Sequence, residues 1–242
     1  ELAICRYNMM YGDNFTNAER YEWLQHALQR WGTWPRADVL RNDLTTQTTP
    51  KFTVNIGRRT QEVSKSQKVR LTDLRNINQL TMRVYRTSLT GDTNLDPNNK
   101  NDFKTIKVGM KELTELAQTQ TFATHASYDI FEDSLQLQGL PAGVYLLEFS
   151  TQPQTEVVRS LYFVSGVRIL QQTQPDNSRR IVVVNATTGQ PIKNATVRLG
   201  FRKEWNKPMT TRVLTCNSQG EVSYSGEQRP SSVFAYTADD NY

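Results

Sequence analysis

Leu140-Pro141-Ala142-Gly143-Val144-Tyr145-Leu146-Leu147 is the run on which the reading of this chain turns. Proline presets its backbone angle and glycine tolerates angles that side chains forbid, so Gly139 to Gly143 makes a turn. The residues that follow, Val144 to Phe149, are rich in strand formers, and they read as a strand entered through that turn. Its hairpin partner is expected over Val157–Val164.

Toward the amino terminus the same alternation repeats. Phe52, Val54 and Ile56 alternate with polar residues, as do Val69 and Leu71, and then Leu80, Met82 and Val84; Leu135 and Leu137 follow later. A period of two describes strands buried on one face, with Lys68 and Arg70 pointing outward from theirs. Thr90–Asp102, rich in Asp, Asn and Gly around Pro97, reads as a loop. The spacing of Met110, Leu113, Leu116 and Ala117 predicts a short helix between Val108 and Ala117, inside an insertion spanning about 90–120.

Before the strands the pattern is helical. Thr16-Asn17-Ala18-Glu19 is a capping box, and Tyr21, Leu24, Ala27, Leu28 and Trp31 fall on one helical face. Gly32 stops that helix, Pro35 is placed to start another, and Val39, Leu40 and Leu44 continue it, which predicts a helical hairpin over about 16–46. Tyr21, Trp23, Trp31 and Trp34 are expected to pack this hairpin on the first sandwich, the sharper alternative being a partner-binding face.

Toward the carboxyl terminus, Ser165-Gly166 marks a seam, and new strands are expected from Val167 to Leu170 and at Ile181–Val184, Ala195–Phe201, Thr211–Thr215, Glu221–Tyr224 and Val233–Tyr236. Turn signals at this spacing indicate sandwiches. The expected fold is mainly β, with two consecutive Ig/fibronectin-III-like antiparallel β-sandwiches behind a short helical hairpin. Its parts are 1–48 (helical segment), 49–166 (first sandwich, with the insertion) and 167–242 (second sandwich, read as short of an edge strand supplied beyond Tyr242).

Composition narrows the function classes. The chain has 242 residues, 37% of them hydrophobic, and no window approaches the roughly 18 apolar residues of a membrane span. Its net charge is +5, but Arg58-Arg59, Lys65, Lys68, Arg70, Arg179-Arg180 and Arg202-Lys203 are scattered without interleaved aromatics, so no nucleic-acid partner is expected. Cys5 and Cys216 form neither a disulfide ladder nor a metal knuckle. The opening Glu-Leu-Ala-Ile-Cys lacks an initiator Met and a signal segment, and reads as the start of a mature or excised chain.

Three runs together resemble macroglobulin domains of the α2-macroglobulin family, in particular the amino-terminal ones of large bacterial, Bacteroidetes-type members. Gln67–Arg86 is similar to their early strand pair, and Leu140–Leu147 to the late strand they open with a Leu-Pro-x-Gly-x-Tyr turn. Val183–Val197, containing Thr188-Gly189-Gln190-Pro191-Ile192, is similar to a hairpin of the next domain. There Thr188-Gly189 supplies a left-handed turn, Pro191 stiffens the outer limb, and Ala195 is small where strands cross. Thr215–Glu221 fits the following hairpin, and the resemblance covers about residues 49–242. It implies a large exported parent, periplasmic or at the cell surface, anchored if at all through an amino-terminal lipid. Such parents are thought to trap proteases when cleavage of a bait segment collapses a cage of domains. These modules would then be scaffold, their partners being further macroglobulin domains of the same chain and an unidentified target protease. The alternative is an Ig-like binding module of a bacterial surface adhesin or glycan-handling protein.

Candidate chemistry is sparse. Cys216-Asn217-Ser218-Gln219 has the Cys–Gln spacing of a macroglobulin thioester, yet it lacks the Glu before Gln and sits in a predicted β-turn, which is the reading adopted. Asp92-Thr93-Asn94-Leu95-Asp96 opens like a calcium loop, but Pro97 replaces the turn glycine and Phe103 stands where the bidentate Glu belongs. Asp239-Asp240 reads as a polar terminal turn. His26 and His125 have no nucleophile or carboxylate at motif spacing. Asn14, Asn185 and Asn194 begin glycosylation sequons, read as chance occurrences. No enzyme activity and no cofactor are expected, and no catalytic, cofactor-binding or metal-ligating residue is assigned.

Overall fold

The computed structural model describes residues 1–12, 15–202, 204, 208–226 and 228–242. Its first 48 residues hold three helices, α1 (Leu2–Gly12), α2 (Asn17–Trp31) and α3 (Ala37–Thr48). The capping box forms: Thr16 Oγ1 accepts the Glu19 N–H at 3.2 Å and Glu19 Oε2 accepts the Thr16 N–H at 2.7 Å. α2 ends at Gly32, and α3 starts two residues after Pro35 because Arg36 is left-handed at φ 66°. α1 turns the expected hairpin into a three-helix segment; its first turn carries no acidic residue to announce it. Ile4 and Tyr7 of α1 share a core with Leu24, Ala27 and Leu40. Trp23 and Trp31 pack on that core rather than on the sandwich, and Trp34 is 61% exposed. Tyr21 does reach across, its ring 5.1 Å from that of Tyr128.

The remainder is mainly β. The first set of strands comprises β1 (Lys51–Asn55), β2 (Thr60–Gln61), β3 (Gln67–Arg75), β4 (Gln79–Arg86), β5 (Lys111–Glu112), β6 (Gln118–Thr121), β7 (Phe131–Leu137), β8 (Gly143–Gln152) and β9 (Val158–Val164). They form two facing sheets, β1-β3-β7 and β2-β9-β8-β4-β5, with β6 also on β4. Only β2 and β9 run parallel among the paired strands described. Val69, Leu71, Leu80, Met82, Val84, Tyr145, Leu147 and Phe149 are fully buried between the sheets, the one-sided alternation the sequence shows.

The second set is β10 (Val167–Thr173), β11 (Arg179–Asn185), β12 (Thr196–Phe201), β13 (Thr210–Thr215), β14 (Glu221–Tyr224) and β15 (Ser232–Tyr236). Sheets β10-β11-β14 and β13-β12-β15 enclose Ile181, Val183, Ala195, Val197, Leu199 and Cys216. Three connections expected inside one sheet instead cross between sheets. β3 and β4 lie in opposite sheets, as do β11 and β12, and β13 and β14. A short hairpin does form at 183–192, where Asn185 N–H donates to Gln190 O at 2.8 Å and Ile192 N–H to Val183 O at 2.9 Å, with Gly189 at φ 71°. The chain then crosses to the facing sheet past Ala195, which is fully buried. Strand period alone does not distinguish a return within a sheet from a crossing, since both preserve the inward face.

The insertion differs most from expectation. It holds α4 (Lys100–Lys107), opened by Asn99 Oδ1 accepting the Asn101 N–H at 2.9 Å, before the expected span 108–117, and within that span a single 3-10 turn at Thr114–Leu116. Gly109 at φ 74° ends helical backbone there, and Leu113 N–H donates to Val84 O at 2.8 Å, drawing the chain onto the sheet. Leu113 and Leu116 pack on the inter-sheet core, while Met110 packs on the far side of the sheet, so their spacing does not describe one helix face. α4 covers the outer face of β8 and β9, where Ile106, Val144, Leu146 and Leu161 form a second apolar layer. β8 is therefore buried on both faces, which accounts for its unbroken apolar run.

Candidate functional site

The turn before β8 has a specific construction. Tyr145 folds its ring back over Gly143, where a Cβ would lie 3.3 Å from the ring, and donates its hydroxyl to Pro141 O at 2.8 Å. This is a tyrosine corner in the physical sense: a buried ring whose polar tip closes its own strand entry. Burial pushes the Tyr145 hydroxyl pKa up.

From β8 and β9 the chain enters the seam, where polar groups converge. Ser165 N–H donates to Gln61 O at 3.1 Å, and Ser165 Oγ accepts the Val167 N–H at 3.0 Å. Asp240, from beyond β15, receives the Ser165 hydroxyl at 2.9 Å on one oxygen and the Gly166 N–H at 2.6 Å on the other. Its own backbone is closed onto Thr237 by two bonds of 2.9 and 3.0 Å. A carboxylate accepting two donors at once makes charge-assisted bonds, stronger than neutral ones. The polar turn expected at Asp239-Asp240 is thus a clamp across the seam.

A second strut comes from the insertion. Gly91 N–H donates to Asn241 O at 2.9 Å, and a Cβ on Gly91 would lie 2.2 Å from the Tyr242 carbonyl carbon. Tyr242 packs on the outer apolar layer of the first sandwich. Next to it Asp92 forms an ion pair with Arg198 of β12, whose guanidinium stands 5.3 Å from the Phe234 ring centroid. The Thr90 hydroxyl and the Arg198 guanidinium hold the Asp92 carboxyl below its ordinary pKa. A third link joins Arg168 of β10 to Glu62 at 2.6 Å, with Lys65 3.5 Å from the other Glu62 oxygen. Three separated links resist both bending and twisting, so this junction can hold two sandwiches at a set angle.

The sequence candidates for chemistry do not converge here. Cys216 is buried in the second core, with burial pushing its thiol pKa up, while Gln219 sits at the exposed tip of an arch between sheets. Asn217 Oδ1 accepts the Gln219 and Glu221 N–H groups at 2.9 and 3.0 Å, the economy of a turn. Asp92 faces Arg198 whereas Asp96 accepts the Asn98 N–H at 2.9 Å, so the two carboxylates serve different partners. His26 lies beside Trp23 and Trp31 on α2, and His125 stacks on Phe131 at 4.1 Å. Asn185 Oδ1 caps its own turn by accepting the Thr187 and Thr188 N–H groups at 3.0 and 2.9 Å. Asn14 and Lys203 lie outside the described residues. A cavity of about 830 Å³ lies on the outer face of β13-β12-β15, lined by Asp92, Arg198, Gly200, Met209, Ser232 and Phe234. Phe234 stacks with Tyr236 there at 5.4 Å.

No protein-family model matches the chain, and no curated protein sequence does either. Among solved structures it is similar to native α2-macroglobulin of Escherichia coli. A crystal structure spanning domains NIE-MG1 aligns with TM-score 0.49 and 14% identity, covering 78% of this chain and 94% of that one. The chain resembles macroglobulin domains. A second crystal structure, spanning MG0-NIE-MG1, aligns with TM-score 0.47 and 13% identity over 78% of this chain and 62% of that one. The native conformation by electron microscopy aligns with TM-score 0.36 and 14% identity, and there the chain spans 12% of the larger protein. The Leu-Pro-Ala-Gly-Val-Tyr run that carries the macroglobulin resemblance is the tyrosine corner of β8, and the Thr-Gly-Gln-Pro run is the hairpin leading out of β11.

Proposed function

We propose that this chain is a structural portion of a macroglobulin-type protein, with 49–166 and 167–242 as consecutive modules behind the helical segment 1–48. The observation that carries the reading is the triple junction of Asp240 with Ser165-Gly166, the insertion with β12 and the chain's end, and Arg168 with Glu62. A wall of a cage must keep its modules in register, and a junction of this kind does so without any reacting group. The parent is then an exported protease inhibitor, periplasmic or at the cell surface. Its partners are further modules of its own chain and a protease.

Spin labels at Lys68 and Gln172, both exposed, in a Cys5→Ser background test the junction by electron–electron distance measurement. A single narrow distribution supports the reading, and a broad one overturns it. In the complete protein, trapping should shield a large protein substrate from trypsin while a small peptide is still cleaved. The 242-residue chain alone should shield neither, and stoichiometric protection by it would contradict the scaffold role. The alternative, a binding module, is favoured by one observation, the Phe234–Tyr236 stack beside the 830 Å³ cavity. It requires a ligand whose binding is lost in Phe234→Ala.

A further inference from the structure

β9 has an incompletely covered edge. Alternate residues of an antiparallel strand turn their N–H and C=O groups away from the partner strand, here toward the side opposite β8. On that side Phe163 N–H is taken by Arg59 O at 2.7 Å, just before β2 begins its parallel pairing. At the other end Arg159 is satisfied by a side chain: its N–H donates to Asn98 Oδ1 at 3.0 Å, and its C=O accepts from Asn98 Nδ2 at 3.1 Å. Between them, the Leu161 N–H meets no partner on this edge among the described residues. A carboxamide is one peptide group in miniature, with one donor and one acceptor bonded as a neighbouring strand would bond them. Asn98 therefore marks what this edge accepts.

The space in front of the edge suits an extended chain. A cavity of about 520 Å³ is lined by Arg59, Asp96, Asn98, Arg159, Leu161 and Phe163. A second of about 430 Å³ shares Arg59, Asn98, Arg159 and Ser160, and is walled by Val54, Asn55 and Ile56 at the edge of β1. Among the described residues β1 is itself paired on one side only, with β3. Arg59 lines both cavities and has no ion-pair partner among the described residues. Asn98 is held in place by Asp96, which in turn receives support from Asp102 Oδ2 accepting its N–H at 3.0 Å.

The geometry points to a strand-acceptor site: the β9 edge binds an extended peptide segment of another polypeptide, carrying a carboxylate for Arg59, and Asn98 is the internal plug that such a peptide displaces. Main-chain pairing supplies the affinity and the guanidinium sets the register, the logic of strand addition to a sheet edge. This site is separate from the junction between sandwiches and serves a different role from scaffolding.

The test uses the whole chain and a fluorescein-labelled heptapeptide of alternating valine and threonine with one central glutamate. Fluorescence anisotropy should show binding that tightens about tenfold or more in Asn98→Ala, where two competing hydrogen bonds are gone. Binding should weaken in Arg59→Ala, and fail for a peptide with prolines at alternate positions, which cannot donate. In the unaltered chain, saturating peptide should slow hydrogen exchange of the Leu161 amide, a readout that does not depend on the variant folding. Equal binding of the proline peptide, no effect of either substitution, or an unprotected Leu161 amide would each overturn the proposal. Self-association of Asn98→Ala without peptide uptake would also overturn it, leaving Asn98 as a guard against pairing between copies.

Discussion

Leu146→Ala is the most informative single change in the first sandwich. Alternation along β8 puts Tyr145, Leu147 and Phe149 inside the sandwich, so Leu146 by that rule faces out, where truncation changes stability by only about ±0.5 kcal/mol. In the structure Leu146 is fully buried, packed with Ile106, Val144 and Leu161 under α4. Removing its three terminal carbons then costs the transfer free energy plus the cavity left behind, about 3 kcal/mol. Leu147→Ala, on the inner face and equally buried, should cost about the same. Ile106→Ala provides the second arm of a double-mutant cycle, with an expected coupling to Leu146→Ala of about 0.5–3 kcal/mol because both lose one contact surface. Native-state hydrogen exchange of the β8 amides is the appropriate assay, since it reads the first sandwich separately from the helical segment and the second sandwich. A cost below about 1 kcal/mol for Leu146→Ala, with Leu147→Ala retaining its full effect, would refute the three-layer packing.

Three further outcomes follow from the same contacts. Gly91→Ala should broaden the distance distribution between labels at Lys68 and Gln172, because its Cβ would lie 2.2 Å from the Tyr242 carbonyl carbon and must push the tail off the insertion. An unchanged distribution would mean that the tail does not contribute to the junction. Tyr145→Phe should cost about 1 kcal/mol in urea unfolding through the lost bond to Pro141 O. Tyr145→Leu should cost more, since it also removes the ring from Gly143. Asp92 has its carboxyl held low by the Thr90 hydroxyl and Arg198, so its contribution is complete above the ordinary value of 3.8 and is lost as pH falls through the lower folded value. Below about pH 4 the unaltered chain should therefore lose stability faster than Asp92→Asn, measured as the difference in unfolding midpoint between the two. That difference removes the parallel contributions of Glu19 and Asp176, whose carboxyls hydrogen bonds also hold low. Parallel acid curves for the two proteins would exclude the Asp92–Arg198 link as a stabilising contact.

Features encoded by near neighbours were legible before any coordinates. The capping box at Thr16 and Glu19, the left-handed Gly189, the strand period through Val69 and Leu71, and the tight turn at Asn217 all depend on residues within a few positions of one another. Features settled by distant contacts were not. α1 is helical because Ile4 and Tyr7 have Leu24 and Leu40 to pack on, and nothing within its own eleven residues signals that. Crossings between sheets at β3–β4 and β11–β12 keep the same inward pattern that a hairpin would have.

The candidate sites divide along the same line. By itself the sequence determined that this is a β-rich, two-sandwich chain with a turn at Leu140–Gly143, because turn chemistry and side-chain period are local properties of the backbone. Tertiary structure alone decided that Asp240 would close on Ser165 and Gly166, that Asn98 would cap Arg159, and that the Val144–Leu147 run is apolar throughout because α4 covers its outer face. Each of those pairings spans tens of residues, so the partner's identity is a matter of how the sheets and the insertion stack, and no local pattern carries it.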